Sequence, residues 1–329
     1  MRAALLLFLI GFSAHALEID PDDPRIRIDG CAFRETIESG SKKIVRMNRE
    51  IPHPDFAQWE NPGARIRIRT NSKMVRFRVV PNHLRPRDKN AKDRSFVCHI
   101  NRNPENSRTI DPQMGPGKFR FDGDGSMREY ELIMPQNGSY DFLGISLSGN
   151  PDIRKPEPKR KRIVFYGDDL LCATPDSIAE TIPCRIADLN HYDTVNMGFS
   201  RILLTPWHTE ILSKLSMNAL VVLVGLHDSE FGTTIPVFRK NLERFIAEIR
   251  KKKPRLKLIF IAPFQCRGND KLTPYRKAIL DLKEENLSVI DGVQLVPSDP
   301  SFFEKNRKNL NRKGLRHFTK KLAEKLRKL

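Results

Sequence analysis

The chain has 329 residues, 39% of them hydrophobic and 30% charged, with a formal net charge of +18. The length admits two domains, and the composition excludes a disordered or fibrous chain. The cationic excess favours anionic partners or surfaces.

Residues 1–16 (MRAALLLFLIGFSAHA) place Arg2 before an apolar run from Ala3 to Phe12 and end on Ala14-His15-Ala16. This is the pattern of a cleaved secretory signal peptide. The run is too short to span a bilayer, and no later segment reads as transmembrane, so the expected location is extracellular. That compartment favours disulfides, and five cysteines leave one over. Cys172 and Cys184 are close in sequence on one βα unit and are the expected pair. Cys31 and Cys98 are a second candidate pair within the first domain, with Cys266 free or paired between chains. Asn137-Gly-Ser and Asn286-Leu-Ser are glycosylation sequons.

Residues 17–148 are expected to form an all-β sandwich. In "ARIRIRT" (64–70), Ile66 and Ile68 alternate with Arg65, Arg67 and Arg69. In "KMVRFRVV" (73–80), Val75, Phe77 and Val79 alternate with Arg76 and Arg78. This is the period of half-buried strands, and the "NSK" between them reads as a hairpin turn. Arg65, Arg67, Arg69, Arg76 and Arg78 would then share one outer face, suited to sulfate or carboxylate groups or simply solvated. "SFVCHI", "KFRF", "REYELIM" and "YDFLGISL" continue the strand pattern. Residues 149–162 are a Pro-rich, basic connector in which the four cations Lys159 to Arg162 read as the entry to a strand or as a convertase site.

Residues 163–329 alternate strands and helices. Apolar strands are expected at 163–166, 193–197, 219–224, 256–262 and 287–290, several buried on both faces, with helices at 236–252 and 314–329. This is a three-layer α/β domain. On the final helix, Leu315, Phe318, Leu322 and Leu326 face inward and Lys320, Lys321, Lys325, Arg327 and Lys328 largely outward.

Four short motifs follow in order along this half: "FYGDD" (165–169), "NMGFSR" (196–201), "VVLVGLHDS" (221–229) and "NRKNLNRKGLRHFTKKL" (306–322). They resemble the SGNH (GDSL) hydrolases, serine esterases of flavodoxin-like architecture with a parallel sheet. Residues 17–148 resemble, more loosely, the jelly-roll-like sandwich that precedes some carbohydrate esterases of that family. The resemblance implies that the nucleophilic serine falls at Asp169, the oxyanion-hole glycine at Gly198 and asparagine at His227, and the triad Asp and His at Asn306 and Asn309. Only Gly198 keeps the family residue. Acyl transfer on this template needs a hydroxyl, a base and oxyanion donors. The reading is therefore a secreted protein of esterase fold that has lost hydrolysis and binds an acidic glycan, another extracellular polyanion or another partner. The alternative is an active serine-type esterase or carbohydrate deacetylase with rearranged residues, Ser200 and His317 being the substitutes available. A third is a matrix scaffold. Asp168, Asp169, His227 and Asp228 could ligate a divalent cation or form an Asp–His pair. Ligand spacing for a metal or cofactor is absent, and no specific nucleic-acid partner is expected.

Overall fold

The computed structural model describes residues 16–40, 42–52, 57–83, 95–110, 118–173, 177–264, 270–306 and 308–328. Residues 1–15 of the expected leader and Cys266 lie outside them.

The first half carries strands β1 (Leu17–Ile19), β2 (Arg27–Asp29), β3 (Phe33–Ser39), β4 (Lys42–Asn48), β5 (Arg65–Thr70), β6 (Met74–His83), β7 (Phe96–Ile100), β8 (Asn103–Ile110), β9 (Lys118–Asp122), β10 (Arg128–Ile133), β11 (Ser139–Leu147) and β12 (Ile153–Arg154). They form two antiparallel sheets, β3-β4-β11-β6-β9 with β1 on β11, and β12-β5-β10-β7-β8 with β2 on β5. Ile66, Ile68, Val75, Phe77, Phe142 and Leu132 fill the space between the sheets and are fully buried. The second half is a parallel sheet of β13 (Arg162–Gly167), β14 (Asp193–Gly198), β15 (Ala219–Leu223), β16 (Lys257–Ala262) and β17 (Leu287–Asp291), ordered β14-β13-β15-β16-β17. That order is the flavodoxin-like one, with its topological switch between β13 and β15.

Helices cover both faces of this sheet: α1 (Asp169–Cys172), α2 (Ile182–Asn190), α3 (His208–Leu212), α4 (Leu226–Glu230), α5 (Ile235–Lys252), α6 (Thr273–Leu280) and α7 (Arg312–Arg327). α5 buries Phe238, Leu242, Phe245 and Ile249 on one face, and α7 buries Leu315, Phe318, Leu322 and Leu326 on the other. The α/β domain behind a β-sandwich is the fold the sequence predicts. None of the helices among the described residues is long and apolar enough to cross a membrane.

Two expectations are corrected. β5 and β6 are not a hairpin, because they belong to different sheets. The turn between them is a corner, held by Ser72, whose amide donates to Thr70 Oγ1 (3.1 Å) and whose hydroxyl donates to the Met74 carbonyl (2.7 Å). The five arginines therefore share no face. Arg65 and Arg67 are buried, at 2% and 0% exposure, because the polar face of β5 is covered by the α/β half and the connector. Arg65 pairs with Glu131 (2.9 Å) on β10 and Asp188 (2.6 Å) on α2. Arg67 pairs with Asp29 (2.5 Å) and Glu129 (2.8 Å). Arg78 pairs with Glu18 (2.9 Å), while Arg69 and Arg76 are half-buried. Neither Arg65 nor Arg67 can meet an external polyanion.

The second correction concerns the cysteines. Cys31, Cys98, Cys172 and Cys184 are free thiols, so neither expected disulfide forms. Cys31 donates to the Phe33 carbonyl (2.8 Å), and Cys98 lies in the sandwich core. Proximity along the chain does not bring the sulfurs of Cys172 and Cys184 together; the first lines an open cleft and the second faces Gly63 of the sandwich. The connector is also part of the packed structure. It contributes β12 to a sheet edge, and the Lys159 ammonium is buried 3.6 Å from Glu131.

Glu131 is fully buried among Arg65, Arg67, Lys159 and His99. Burial opposes its charge, but Arg65 and Lys159 outweigh it and hold the carboxyl well below the usual range. His99, Glu131 and Asp188 are the one three-ligand group that converges among the described residues. Arg65 and Lys159 already occupy that space with positive charge, which a metal ion would have to displace. Removing one partner of such a network leaves uncompensated buried charge. Glu131→Ala should therefore lower the unfolding free energy by about 3–5 kcal/mol in urea titration; a loss under about 0.5 kcal/mol, the range of ordinary surface substitutions, would contradict the network.

Candidate active site

The site is built where β13, β14 and β15 end. β13 stops at Gly167, where a Cβ would lie 2.0 Å from the Leu223 carbonyl oxygen, so only glycine lets the two strand ends meet. The chain then turns, and Asp168 caps α1 by accepting from the Leu170 amide (3.3 Å). Asp169, the first residue of α1, consequently projects into the crevice at the switch point. α4 begins after Gly225 (φ 108°) and presents His227 to the same crevice.

Asp169 and His227 meet directly. Oδ2 of Asp169 is 2.8 Å from Nε2 of His227, a close charge pair whose alignment is poor for a hydrogen bond. Nδ1 of His227 is 3.0 Å from Glu230, and Glu230 is 2.8 Å from the Lys308 ammonium. With His227 protonated, a chain of alternating charge, Asp169–His227–Glu230–Lys308, runs across the position where the resemblance places nucleophile and oxyanion donor. Burial works against the charge on His227, but Asp169, Asp168 and Glu230 outweigh it and raise its pKa. Burial also works against Asp169, yet His227 and Ser200 beside it hold its carboxyl below the usual range. Asp168 differs: buried, it is pushed up to about 7, and Asp228 to about 6, mainly by desolvation.

Gly198, the one retained family residue, ends β14, and a Cβ there would meet Leu171 at 2.4 Å. Its N–H donates to Asn196 Oδ1 (2.9 Å) and its carbonyl accepts from Arg49 (2.5 Å). The N–H that would stabilise an oxyanion is thus committed within the chain. Asn306 and Asn309 are both exposed, and Asn309 lines the cleft. Asn306 Oδ1 accepts from the backbone amides of Lys308 (2.9 Å) and Asn309 (3.1 Å), holding the turn and not the Asn309 side chain.

The substitutes also fall in place. Ser200 lines the cleft beside Asp169. His317 packs against Phe302 (5.3 Å) in a separate groove and does not line the cleft, so it takes no part in the site. Cys172 lines the cleft, but burial pushes its thiol up to about 12. A thiol so raised is not a nucleophile.

The cleft holds about 430 Å³ and is lined from both halves of the chain. Arg49 and Glu60 come from the sandwich, 1% and 2% exposed, with the Arg49 guanidinium 4.0 Å over Phe199. Glu60 accepts from the Gly138 amide (3.0 Å). Sequence reasoning missed this pair, since both residues lie outside any periodic strand; the charge beside Trp59 and Pro62 was the only cue. Asn137, the first sequon, lines the same cleft half-buried, while Asn286 is exposed on the far edge of the sheet.

No family model matches the sequence, and no curated protein matches it. Solved structures do match. The salicylyl-acyltransferase SsfX3 from a tetracycline biosynthetic pathway is 17% identical, with a TM-score of 0.75 over 95% of this chain and 97% of that one. A Bacteroides ovatus protein assigned as a GDSL-like lipase is 18% identical, with a TM-score of 0.71 over 95% and 98%. A family two carbohydrate esterase from Clostridium thermocellum, solved with cellohexaose, is 12% identical, with a TM-score of 0.67 over 92% and 98%. At these identities the likeness is one of fold, and it spans both halves: the chain has the two-domain architecture of SGNH (GDSL) esterases and acyltransferases.

A raised histidine pKa stabilises the fold below its unfolded value, 6.5, and that contribution is lost as pH rises through the folded value. The stability difference between the natural protein and His227→Gln should therefore shrink in thermal unfolding as pH is raised from below 6.5 to above it. A difference independent of pH over that range would show that the imidazolium is not held by the two carboxylates.

Proposed function

We propose that this chain is a secreted protein of esterase fold that does not hydrolyse esters and uses its inter-domain cleft to hold a ligand. The observation that carries the reading is the 2.8 Å Asp169–His227 pair. It fills the nucleophile and oxyanion positions with an ion pair. A carboxylate at 169 has no hydroxyl, could attack an acyl group only to form a high-energy anhydride, and places negative charge where the oxyanion must develop. Asn309 cannot take and return a proton as histidine does. The committed N–H of Gly198 removes a further oxyanion donor.

The lining suggests the class of ligand. Arg49 and Glu60 compensate each other (3.4 Å), and His227 compensates Asp169, so Glu304 is left in a lining otherwise supplied by amides, the Ser200 hydroxyl, the Cys172 thiol and apolar groups. That balance suits an uncharged polar molecule such as a neutral saccharide better than an acidic polymer. The cellohexaose in the Clostridium thermocellum esterase structure supports the same class by analogy of fold.

The second reading, an esterase with rearranged residues, rests on Ser200 beside Asp169. It is disfavoured because a general base works best with a pKa near the operating pH, and Asp169 is held below even the ordinary carboxylate range.

The test is hydrolysis of 4-nitrophenyl acetate and acetylated xylan, together with labelling by a fluorophosphonate probe. The natural protein should show neither turnover above an unrelated basic protein nor an adduct. Asp169→Ser alone should recover little, since serine without its base is a weak nucleophile. An adduct mapped to Ser200 in the natural protein would establish the rearranged esterase instead.

A further inference from the structure

The cationic excess has a place in the structure other than the strand arginines. Between α7, α2 and the turn at 300–302 lies a groove of about 450 Å³ that shares no residue with the cleft. Its cations are Arg185, Lys313, Arg316, Lys320 and Arg327, against one lining carboxylate, Glu324, which is 3.3 Å from Lys321. Positions 313, 316, 320 and 327 follow the spacing of one helix face and extend over ~21 Å at ~1.5 Å per residue.

These side chains are arranged in two ways. Glu180 holds Arg185 and Arg316 at 3.0 Å each and takes both Nε and Nη2 of Arg316. The other three have no carboxylate partner among the described residues. Lys313 lies over the Phe302 ring (4.3 Å) and donates to Ser301 Oγ (3.2 Å). Arg327 donates to Asn190 Oδ1 (2.7 Å) and to the Leu189 carbonyl (2.9 Å), both neutral. Lys320 is exposed. Holding α7 in place does not require this charge, because Leu315, Phe318, Leu322 and Leu326 already bury its inner face. Like charges gathered along one groove repel, and an anion bound there relieves the repulsion.

We propose that the α7–α2 groove is a binding site for an extended sulfated polysaccharide. Lys313, Lys320 and Arg327, whose charges no carboxylate among the described residues offsets, supply charge spaced along the groove for a chain of sulfate groups, with Arg185 and Arg316 beside them. A single-stranded nucleic acid would need open aromatic platforms for its bases; the groove's two aromatic rings, Phe302 and His317, pack on each other, and Lys313 covers Phe302. An anionic bilayer would need an apolar helix face to insert, and that of α7 is turned into the core. The site is independent of the cleft reading and stands whether or not the cleft hydrolyses esters.

The experiment uses heparin as the probe. Lys313→Ser with Lys320→Ser removes two exposed charges from the groove; Lys251→Ser with Lys252→Ser removes two from the far end of α5. Affinity for heparin at about 0.15 M salt should fall about tenfold in the groove variant, which corresponds to ~1.4 kcal/mol, and less than about twofold in the control. Binding of the natural protein should weaken steeply with salt. Equal losses in both variants would reduce the effect to overall charge and overturn the site. Tighter binding to single-stranded DNA or to phosphatidylserine vesicles than to heparin would overturn the assignment to a sulfated glycan.

Discussion

Glu131 sits without solvent among two arginines, a lysine and a histidine drawn from two strands and the connector. Through Arg65 the network reaches Asp188 and the Cys184 carbonyl of α2, so it ties the sandwich to the α/β half. The cleft depends on that attachment. Arg49, Glu60, Gln136 and Asn137 form one wall and Asp169, Phe199 and Ser200 the other. A shift of one half against the other would part the Arg49 guanidinium from the Gly198 carbonyl that it holds. The sandwich therefore shapes the site directly.

On the proposed reading, charge within the cleft is arranged to cancel and not to react. An esterase of this fold needs a neutral hydroxyl beside a base and free N–H donors. Here a carboxylate held low stands beside an imidazole held high, and the nearest backbone donor already has its acceptor. Each feature lowers the free energy of the resting site, and none is aimed at charge developing in a transition state. Asp168 and Asp228, the carboxyls beside the site that are shifted upward, are shifted by burial, and neither lines the cleft.

Much of this was legible in the sequence. The alternation around Ile66 and Ile68 gave the sandwich core, and the four ordered motifs located Asp169, Gly198, His227 and Asn309 at the crevice. What failed has a common cause. Alternation shows which face of a strand is polar but not what covers it, so Arg65 and Arg67 read as a solvated face and are an interface. A three-residue turn is compatible with a hairpin or with a corner between sheets; Ser72 makes it a corner. Closeness in sequence could not give the direction of the Cys172 and Cys184 side chains. Arg49 and Glu60 belong to no periodic segment, and their partners come from residues 138 and 198. Gly198 was visible as a glycine, but the acceptor of its N–H was not.

The central claim is that the Asp169 carboxylate holds a charged His227 across the position where the resemblance places the nucleophile. The direct measurement is an NMR titration of the His227 imidazole in the natural protein and in Asp169→Asn. The account predicts a pKa above the ordinary histidine value of 6.5 in the natural protein and a clear fall in the variant. An unshifted imidazole in the natural protein, or one that titrates identically in both, would contradict it.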